Sequence, residues 1–489
     1  MFMRRFAAFL CTAVLCLTMT GCGGAPAAAS MVSPSGRGDA PEVTIPVEPV
    51  PLCDGPSEDC EKALRAMAAA LASYPEGVSE PREDDYLLAD GSLDFDAFDR
   101  DYAAWMEQEA ARPAVPESVS RLADFFRDAE RQFLSGGTEN RACSPLNIYF
   151  ALCLIAEVTD GESRAQVLRL LDADSIDSLR AQANQIWNAL YKDDGTSSLI
   201  SGSSLWLREG IRFKQDTLNR LAENYYASSF SGSPSDPAFT AALRTWLNQQ
   251  TKGLLKEQAG NISLTPDTVA ALASTLYFKA PWLSQFEEAL TRPDVFHAPS
   301  GDMNTPYLHK TLSHSAVYAG DGFTAMPLPM DTGRMWLILP DEGITPDALL
   351  QTGTVQSLLS APEEYLSARE ARVSLSLPRF DVTGELDLID GLKTMGVTDV
   401  FDSGKSDFSP LTEDAEKLEI TSIRHAARVK IDEEGCEAAA FTVSLVELTA
   451  AMDQPQSIDF TLDRPFLFAV AGEGDLPLFA GVVNVPEAA

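Results

Sequence analysis

The residue types that commonly carry catalysis are sparse in this 489-residue chain and do not fall at catalytic spacings. A serine hydrolase needs a histidine beside a positioned serine and an acid, and the chain has four candidates: His297, His309, His314 and His425. The sequence contains no G-x-S-x-G elbow, no H-E-x-x-H zinc pair and no G-x-x-x-x-G-K-[ST] phosphate loop. His309 and His314 have no acid between them, which favours a solvated surface pair over a metal site. We therefore expect no enzyme, no bound metal and no cofactor.

A segment near the C-terminus has a different property, because its residue pattern suits a loop that can become a strand. Side chains alternate between the two faces of a strand, so a loop that enters a packed sheet needs small or apolar residues on its inward face. Counting from Gly435, the inward set carries no charge. Its members are Cys436, Ala438, Ala440, Thr442, Ser444, Val446 and Leu448. Both charges, Glu437 and Glu447, fall in the outward set together with the bulky Phe441.

The N-terminus has the features of an export signal. Two arginines precede an apolar run over residues 6–20, which is shorter than a membrane-spanning helix. The run ends in Met19-Thr20-Gly21-Cys22, which resembles the lipobox of bacterial lipoproteins, where the cysteine receives a diacylglycerol. Residues 1–21 are therefore predicted to be a lipoprotein signal peptide, with Cys22 as the lipidation site. The alternative is ordinary signal cleavage near residues 25–29, with Cys22 unmodified.

The cysteines outside this signal do not form a zinc site or a C-x-x-C pair. Eight cysteines occur, of which Cys11 and Cys16 lie in the signal and Cys22 is assigned to the lipid. The other five are Cys53, Cys60, Cys143, Cys153 and Cys436. An odd number outside the cytosol leaves at least one free thiol, and whether Cys53 and Cys60 are bonded stays open.

Composition divides the rest of the chain into three parts. Residues 22–56 are rich in Ala, Pro and Gly and predict an extended tether. Residues 57–116 predict an acidic, partly helical N-terminal extension, with a helix over 57–75 and a short helix within 80–102. Residues 117–489 predict one mixed domain, with helical periodicity early and strand-like runs late, which indicates the α+β class. The helical spans are 118–134, 146–158, 162–171, 175–191, 214–226 and 237–252, and the strand-like runs are 196–208, 268–279, 334–339, 372–380, 426–432, 457–462, 466–471 and 477–484.

Short segments spread over about 370 residues resemble, in order, the motifs of the serpin family. They are CSPLNI (143–148), LYFKAPW (276–282), LILPDE (337–342), LSLPRF (375–380), LKTMGVTDVF (392–401), SDFS (406–409), DRPFLF (463–468) and GVVNVP (481–486). Between them, IDEEGCEAAAFT (431–442) resembles the reactive-loop hinge of inhibitory serpins. Two positions depart from the family pattern: Cys436 stands where Thr or Ser is usual, and Phe441 interrupts the alanine run.

The resemblance implies a serpin fold of about eight to nine helices around three β-sheets, with an exposed reactive loop. It assigns the hinge to Glu433, Gly435, Cys436, Glu437, Ala438, Ala439, Ala440, Phe441 and Thr442. Counting fourteen residues from Gly435 places the scissile bond at Thr449–Ala450, with Leu448 as the preceding subsite residue. It also implies a buried polar cluster, called the shutter, formed by Ser144, Asn147, Ser274 and His425.

The implied activity is suicide inhibition, in which a protease cuts the loop and is trapped as a covalent acyl complex when the loop inserts into a sheet. Residues 446–452 contain no Lys or Arg, which opposes a trypsin-like target and favours an elastase-like one, or a cysteine protease that recognises Leu448. The alternative is a non-inhibitory surface binding protein with the same fold. The formal charge of −35 opposes nucleic-acid binding. We expect an extracytoplasmic monomer, anchored to the cell membrane through the lipid on Cys22 or secreted.

Overall fold

The structure is a computed structural model that describes residues 10–21, 58–75, 80–88, 90–365, 367–414, 418–435 and 457–486. These residues form twelve α-helices and seventeen β-strands. The helices are α1 Glu58–Met67, α2 Phe95–Ala110, α3 Ala123–Leu134, α4 Pro145–Val158, α5 Gly161–Leu170, α6 Ile176–Leu190, α7 Gln215–Tyr225, α8 Pro237–Gln250, α9 Lys256–Gly260, α10 Pro346–Thr352, α11 Thr354–Ser360 and α12 Ile389–Thr394. The strands are β1 Leu10–Gly21, β2 Ala68–Ala70, β3 Arg141–Cys143, β4 Lys192–Asp193, β5 Ser198–Arg208, β6 Ala227–Gly232, β7 Thr268–Lys279, β8 Arg292–Ala298, β9 Gly301–Gly320, β10 Phe323–Pro329, β11 Arg334–Pro340, β12 Ala368–Pro378, β13 Phe380–Asp387, β14 Leu418–Ile431, β15 Ser457–Thr461, β16 Phe466–Ala471 and β17 Pro477–Val483.

The central sheet has the strand order β13-β14-β1-β7-β5-β6-β2, with the short β4 paired to β5. Strand β1 is antiparallel to both of its neighbours, β14 and β7, so those two strands run parallel to each other. We call the place between β7 and β14 the central strand position. In this structure residues 10–21 occupy it as a twelve-residue strand.

Two further sheets share the long strand β9. One part of β9 pairs with β8 and β12, and β12 continues to β15. The end of β9 pairs with β10, which begins the series β10-β11-β16-β17-β3. Together with the central sheet these make three sheets, which confirms the predicted α+β architecture. The described residues contain twelve helices where about eight to nine are expected, and four of the twelve, α9 to α12, are short.

Strand β7, in the middle of the central sheet, is buried on both faces. Strand β7 has eleven buried residues and one half-buried residue, Lys279. Its alternate residues face different clusters: Leu272 and Leu276 pack into the main core with α4, whereas Ala271 and Ala273 pack into a cluster that contains residues of α8. A strand covered on both sides is mainly apolar, and eight of the twelve residues of β7 are apolar, which is why 268–279 is recognisable in the sequence.

Helix α4 lies beneath the central sheet with all fourteen of its residues buried. It begins at a favourable N-terminus, because the Ser144 hydroxyl accepts a hydrogen bond from the Asn147 backbone N–H and Pro145 occupies the first helical turn. A helix that is apolar on all sides belongs in a core. The capping serine thereby brings a polar group under the sheet.

The N-terminal extension docks on the edge of the central sheet. Strand β2 pairs with β6, and Leu64 of α1 is buried in the cluster around α8. Tyr74 packs against Trp187, with ring centroids 5.3 Å apart. The sequence predicts one helix over 57–75, but this helix ends at Met67 because residues 68–70 extend and pair with the sheet edge.

Candidate functional site: a hinge above a buried polar cluster

Residues 432–435 follow β14 and form a tight turn held by the segment after β7. The carbonyl oxygen of Asp432 accepts a hydrogen bond from the Trp282 indole Nε1 at 2.8 Å. The carbonyl oxygens of Glu433 and Glu434 accept from the backbone N–H groups of Phe286 and Trp282, at 2.9 and 3.3 Å. Three consecutive backbone acceptors are therefore bound to residues 282–286, which fixes the point where the chain leaves the central sheet.

The Glu433 carboxylate is buried in an ion pair. It accepts hydrogen bonds from the Arg379 guanidinium and from the Thr291 hydroxyl, the latter at 2.6 Å. Burial opposes ionisation of this group, but the bonds from Arg379 and Thr291 outweigh burial and lower the pKa of Glu433. The carboxylate is therefore charged at neutral pH and ties the turn to Arg379, between β12 and β13, and to Thr291, directly before β8.

Asp432 lies in the same turn in a different electrostatic environment. Its Oδ1 atom accepts from the Glu434 backbone N–H at 3.1 Å, and its carboxylate is almost fully buried. Burial, reinforced by the negative charges of Glu433 and Glu434, raises the pKa of Asp432 to about 7. The two neighbouring acids thus have opposite shifts, because only Glu433 has a cationic partner in contact.

Gly435 completes the turn with a positive φ of 75°. A Cβ at this position would lie 2.3 Å from the backbone nitrogen of Trp282. Both the left-handed conformation and the close approach require glycine. The predicted hinge glycine is therefore explained by its backbone and its neighbour.

The remaining predicted loop residues and the lipidation site lie outside the described residues and stay predictions. They are Cys436, Glu437, Ala438, Ala439, Ala440, Phe441, Thr442, Leu448, Thr449, Ala450 and Cys22.

The four predicted shutter residues lie together beneath the central sheet. The Ser144 backbone N–H donates to His425 Nε2 at 3.0 Å, and the Ser144 hydroxyl donates to the carbonyl oxygen of Leu478 at 2.6 Å. The Ser274 hydroxyl donates to Asn147 Oδ1 at 2.5 Å, and Asn147 Nδ2 donates back to the Ser274 carbonyl oxygen at 3.4 Å. The N-terminal turn of α4 is thus bonded to β14 through His425 and to β7 through Ser274.

His425 is neutral in this environment. It is 1% exposed, and burial lowers its pKa to about 3. Because Nε2 accepts the bond from Ser144, the ring proton resides on Nδ1. This histidine holds two elements together and is not positioned as a catalytic base.

The central strand position lies directly between the two halves of the shutter. The backbone of Leu15 in β1 is paired with His425 on one side and with Ser274 on the other. At the hinge end of the sheet, Leu10 is paired with Lys430 and Lys279. A strand that enters this position therefore separates β14, which carries His425, from β7, which carries Ser274. When the strand leaves, β14 and β7 can come together again.

Trp282, Thr291 and Arg379 bind the hinge, and the sequence alone does not predict this role for them. They lie more than fifty residues from the hinge in the sequence, so no local spacing joins them to it. The signal that could have indicated a partner is Glu433 itself, because a buried carboxylate needs a cation or several donors. Across the described parts of the chain, no group of three or more His, Cys, Asp or Glu side chains could hold a metal ion, and no helix is long and apolar enough to cross a membrane.

The fold and site define a class of proteins with two shared features. A glycine hinge follows a strand of the central sheet, and next to that strand is a position that a further segment can fill. The chain belongs to the serpin family, because the family model described as Serpin (serine protease inhibitor) matches residues 122–486. Members of this family are in general protease inhibitors and not enzymes.

Relatives from plants and a thermophile cover most of this chain. Serpin-Z2B of Triticum aestivum is 30% identical over 371 residues, which are 71% of this chain and 90% of the relative. The crystal structure of the thermophilic serpin tengpin in its native state is 25% identical with a TM-score of 0.65, covering 77% of this chain and 96% of tengpin. Arabidopsis AtSerpin1 in its native stressed conformation is 27% identical with a TM-score of 0.65, covering 76% and 98%.

Proposed function

We propose that this chain is a suicide inhibitor of serine endopeptidases that traps its target by inserting residues 436–448 into the central sheet. The observation that supports this most directly is the central strand position itself. It accepts a strand of twelve residues that pairs along both sides, next to the strand that leads into the hinge. The uncharged inward set from Cys436 to Leu448 spans about the same length.

The proposed reaction begins as ordinary proteolysis. The active-site serine oxygen of the protease attacks the carbonyl carbon of Thr449, and the bond to the nitrogen of Ala450 breaks after that nitrogen is protonated. The protease is then joined to Thr449 as an ester. The freed segment turns at Gly435 and enters the central sheet, which gains backbone hydrogen bonds and buries apolar surface. The protease is carried along and distorted, so the ester is not hydrolysed.

The proposed target class follows from the residues around the bond. Small and apolar side chains at 446–452 fit the shallow pocket of an elastase-like protease, and they offer no cation to an acidic specificity pocket. A cysteine protease that accepts Leu448 in its second subsite is a further target of the same mechanism, with a thioester in place of the ester.

The proposed location is outside the cytoplasm, with Cys22 carrying a lipid anchor. Cleavage before Cys22 would remove residues 10–21, which form β1 in the whole chain. The central strand position would then be vacant for the reactive loop. Export processing and inhibitory competence are linked in this proposal, because both depend on the same segment.

Incubation of the exported protein with pancreatic or neutrophil elastase tests the function. We expect an adduct that survives boiling in SDS, and mass spectrometry of the released C-terminal fragment should place the cut at Thr449–Ala450. Protease with its active-site serine replaced by alanine is the control and should form no adduct. Complete cleavage of the loop with no adduct for any serine or cysteine protease tested would refute the inhibitory proposal.

The second candidate is a non-inhibitory surface binding protein, favoured by the interruption of the alanine run at Phe441. The two candidates differ in heat stability after the loop is cut. An inhibitor should melt at a much higher temperature once cleaved, because the inserted strand stabilises the sheet, whereas a non-inhibitory protein should melt at the same temperature before and after cleavage.

A further inference from the structure

Residues 82–111 form an appendage whose main helix is half-buried on one side and exposed on the other. We call this segment the acidic appendage. Its helix α2 has sixteen residues, none of which is buried. Along one side, the rings of Phe98 and Tyr102 stack with centroids 5.6 Å apart, and Tyr102 lies 5.4 Å from Trp105. An aromatic row on a helix is ordinarily a packing face, and here Tyr86 of the same segment packs edge-on against Phe98, with ring centroids 5.5 Å apart, while Tyr102 stays exposed.

The acidic appendage also exposes large apolar side chains at high density. The described residues include ten large apolar side chains that are exposed, and five of them lie here. They are Leu87, Leu88, Phe95, Tyr102 and Met106, with Phe95 the most exposed of the five at 66%. Apolar surface concentrated in this way is typical of an interaction site.

The charge of the acidic appendage determines the kind of partner that fits. Residues 82–111 contain ten Asp and Glu and two Arg, a formal charge of 2 − 10 = −8. A second copy of this chain would bring the same charge and would be repelled. A basic protein surface with exposed apolar side chains complements both the charge and the aromatic row.

Both ends of the acidic appendage are fastened to one hairpin. The Arg82 guanidinium donates to the Thr196 hydroxyl at 2.9 Å, at the start of the segment. Directly after its end, the Arg112 guanidinium donates to the carbonyl oxygen of Tyr191. Tyr191 and Thr196 flank β4, which pairs with the first residues of β5.

This hairpin lies at the hinge end of the central sheet. The first residue of β5, Ser198, is paired with the last residue of β7, Lys279. The Ser197 hydroxyl donates to Asp331 at 2.6 Å, and the Asp331 backbone N–H donates to the carbonyl oxygen of Pro281 at 2.9 Å. The next residue, Trp282, binds the hinge. The acidic appendage is therefore fastened at the same end of the sheet as the hinge at Gly435.

We propose that the acidic appendage is an exosite, a docking surface outside the cleaved loop, for the basic surface of the target protease beside its active site. The proposal rests on the inhibitory function proposed above. A protease that holds the reactive loop faces this end of the molecule, so its surface can meet the appendage at the same time. The acidic residues attract the protease from a distance, and the exposed apolar side chains then bind it at short range.

The charge contribution is tested with two matched triple variants of the exported, processed protein. The first removes three exposed acids of the acidic appendage: Glu83→Gln, Asp84→Asn and Asp85→Asn. The control removes three exposed acids at the far end of the sheet: Glu209→Gln, Asp216→Asn and Asp267→Asn. Glu209 follows the last residue of β5 and Asp267 precedes the first residue of β7, so the change in net charge is equal and only its place differs.

For a basic protease at low salt, the association rate constant should fall about tenfold in the first variant and less than twofold in the control. The difference should disappear above 0.5 M salt, because exposed charges are then screened. An acidic protease of the same specificity should show no fall. Equal effects of the two triple variants would overturn the exosite, since net charge alone would then explain the rates.

The apolar contribution is tested with the double variant Phe95→Ser, Met106→Ser and a basic protease whose active-site serine is replaced by alanine. The dissociation constant should rise about tenfold, whereas Ile344→Ser, at an exposed apolar residue elsewhere, should leave it unchanged. An unchanged dissociation constant in the double variant would overturn the exosite. This measurement needs no covalent step. It therefore tests the exosite separately from the proposed function, even if the protein without these substitutions fails to trap the active protease.

Discussion

His425 in β14 and Asp432 directly after this strand are both buried, and burial shifts the pKa values of the two groups so that their effects on stability oppose each other. The folded pKa of His425 is about 3, below its ordinary 6.5, so the unfolded chain binds more protons between these values. Its contribution to stability is complete above pH 6.5 and is lost as the pH falls toward 3. The folded pKa of Asp432 is about 7, above its ordinary 3.8, so its contribution is complete below pH 3.8 and is lost as the pH rises toward 7.

Replacing His425 by glutamine should therefore make the free energy of unfolding less dependent on pH below pH 6.5. Glutamine retains an acceptor for the Ser144 backbone N–H but has no charge to gain. Below pH 6.5 the advantage of the wild type over the variant should shrink by up to about 1.4 kcal/mol per pH unit. Urea unfolding of the native state at pH 7.5, 6.5 and 5.5 measures this difference. Asp432→Asn is the control and should show the reverse trend, and parallel profiles for wild type and His425→Gln would contradict the assignment.

At the scale of elements, the sequence predicts best what local periodicity determines. The helices α3 to α8 fall within a few residues of their predicted spans, because each has one face or a full surface of apolar residues. The twenty-residue strand β9 is not predicted, since every residue of 309–315 except Leu312 is polar and the strand shows no clean alternation of burial. Strand β6 is rich in serine and was missed for the same reason.

Some residues of the site can be predicted from the local sequence, whereas others come together only in the fold. Gly435 and Glu433 are recognisable because the hinge motif is continuous in the sequence. The bonds from Trp282 and Arg379 depend on strands that meet only in the folded sheets. Strand β1 is the clearest case: the composition of 6–20 predicts an export signal, and nothing in that pattern indicates pairing with β7 and β14.

The docking of the N-terminal extension on the sheet edge can be tested through Leu64. This side chain is 8% exposed among residues of α8 and the sheet. Leu64→Ala should reduce the free energy of unfolding by about 2 kcal/mol and make residues 58–75 more susceptible to a non-target protease. Leu71→Ala is the matched control, because Leu71 is 53% exposed. If both variants were cleaved at the wild-type rate, α1 would not be held by this contact.

At the scale of the whole molecule, the central strand position has two candidate occupants in one chain. In the whole chain β1 fills it along twelve residues and pairs with both neighbours. The hinge at Gly435 lies at one end of this position, and a loop inserted after it would need the same backbone donors and acceptors. Since a strand position can pair only one segment at a time, the two occupants exclude each other.

A chain that retains residues 1–21 should therefore be a substrate and not an inhibitor. We expect a full-length Cys22→Ser protein to be cut in the reactive loop without forming an adduct, because β1 blocks insertion. The chain that starts at residue 22, with the same substitution, should form the adduct. Adding a synthetic peptide of residues 10–21 to this shorter chain should restore substrate behaviour.

A peptide of residues 10–21 with proline in place of Leu15 is the control for that experiment. Proline lacks the backbone N–H and is not tolerated in a central strand, so this peptide should leave the adduct yield unchanged. Adduct yield is measured on SDS gels at equal protease concentration. If the full-length chain trapped protease as efficiently as the shorter one, loop insertion would not require the position that β1 occupies, and the proposed link between export processing and inhibition would be wrong.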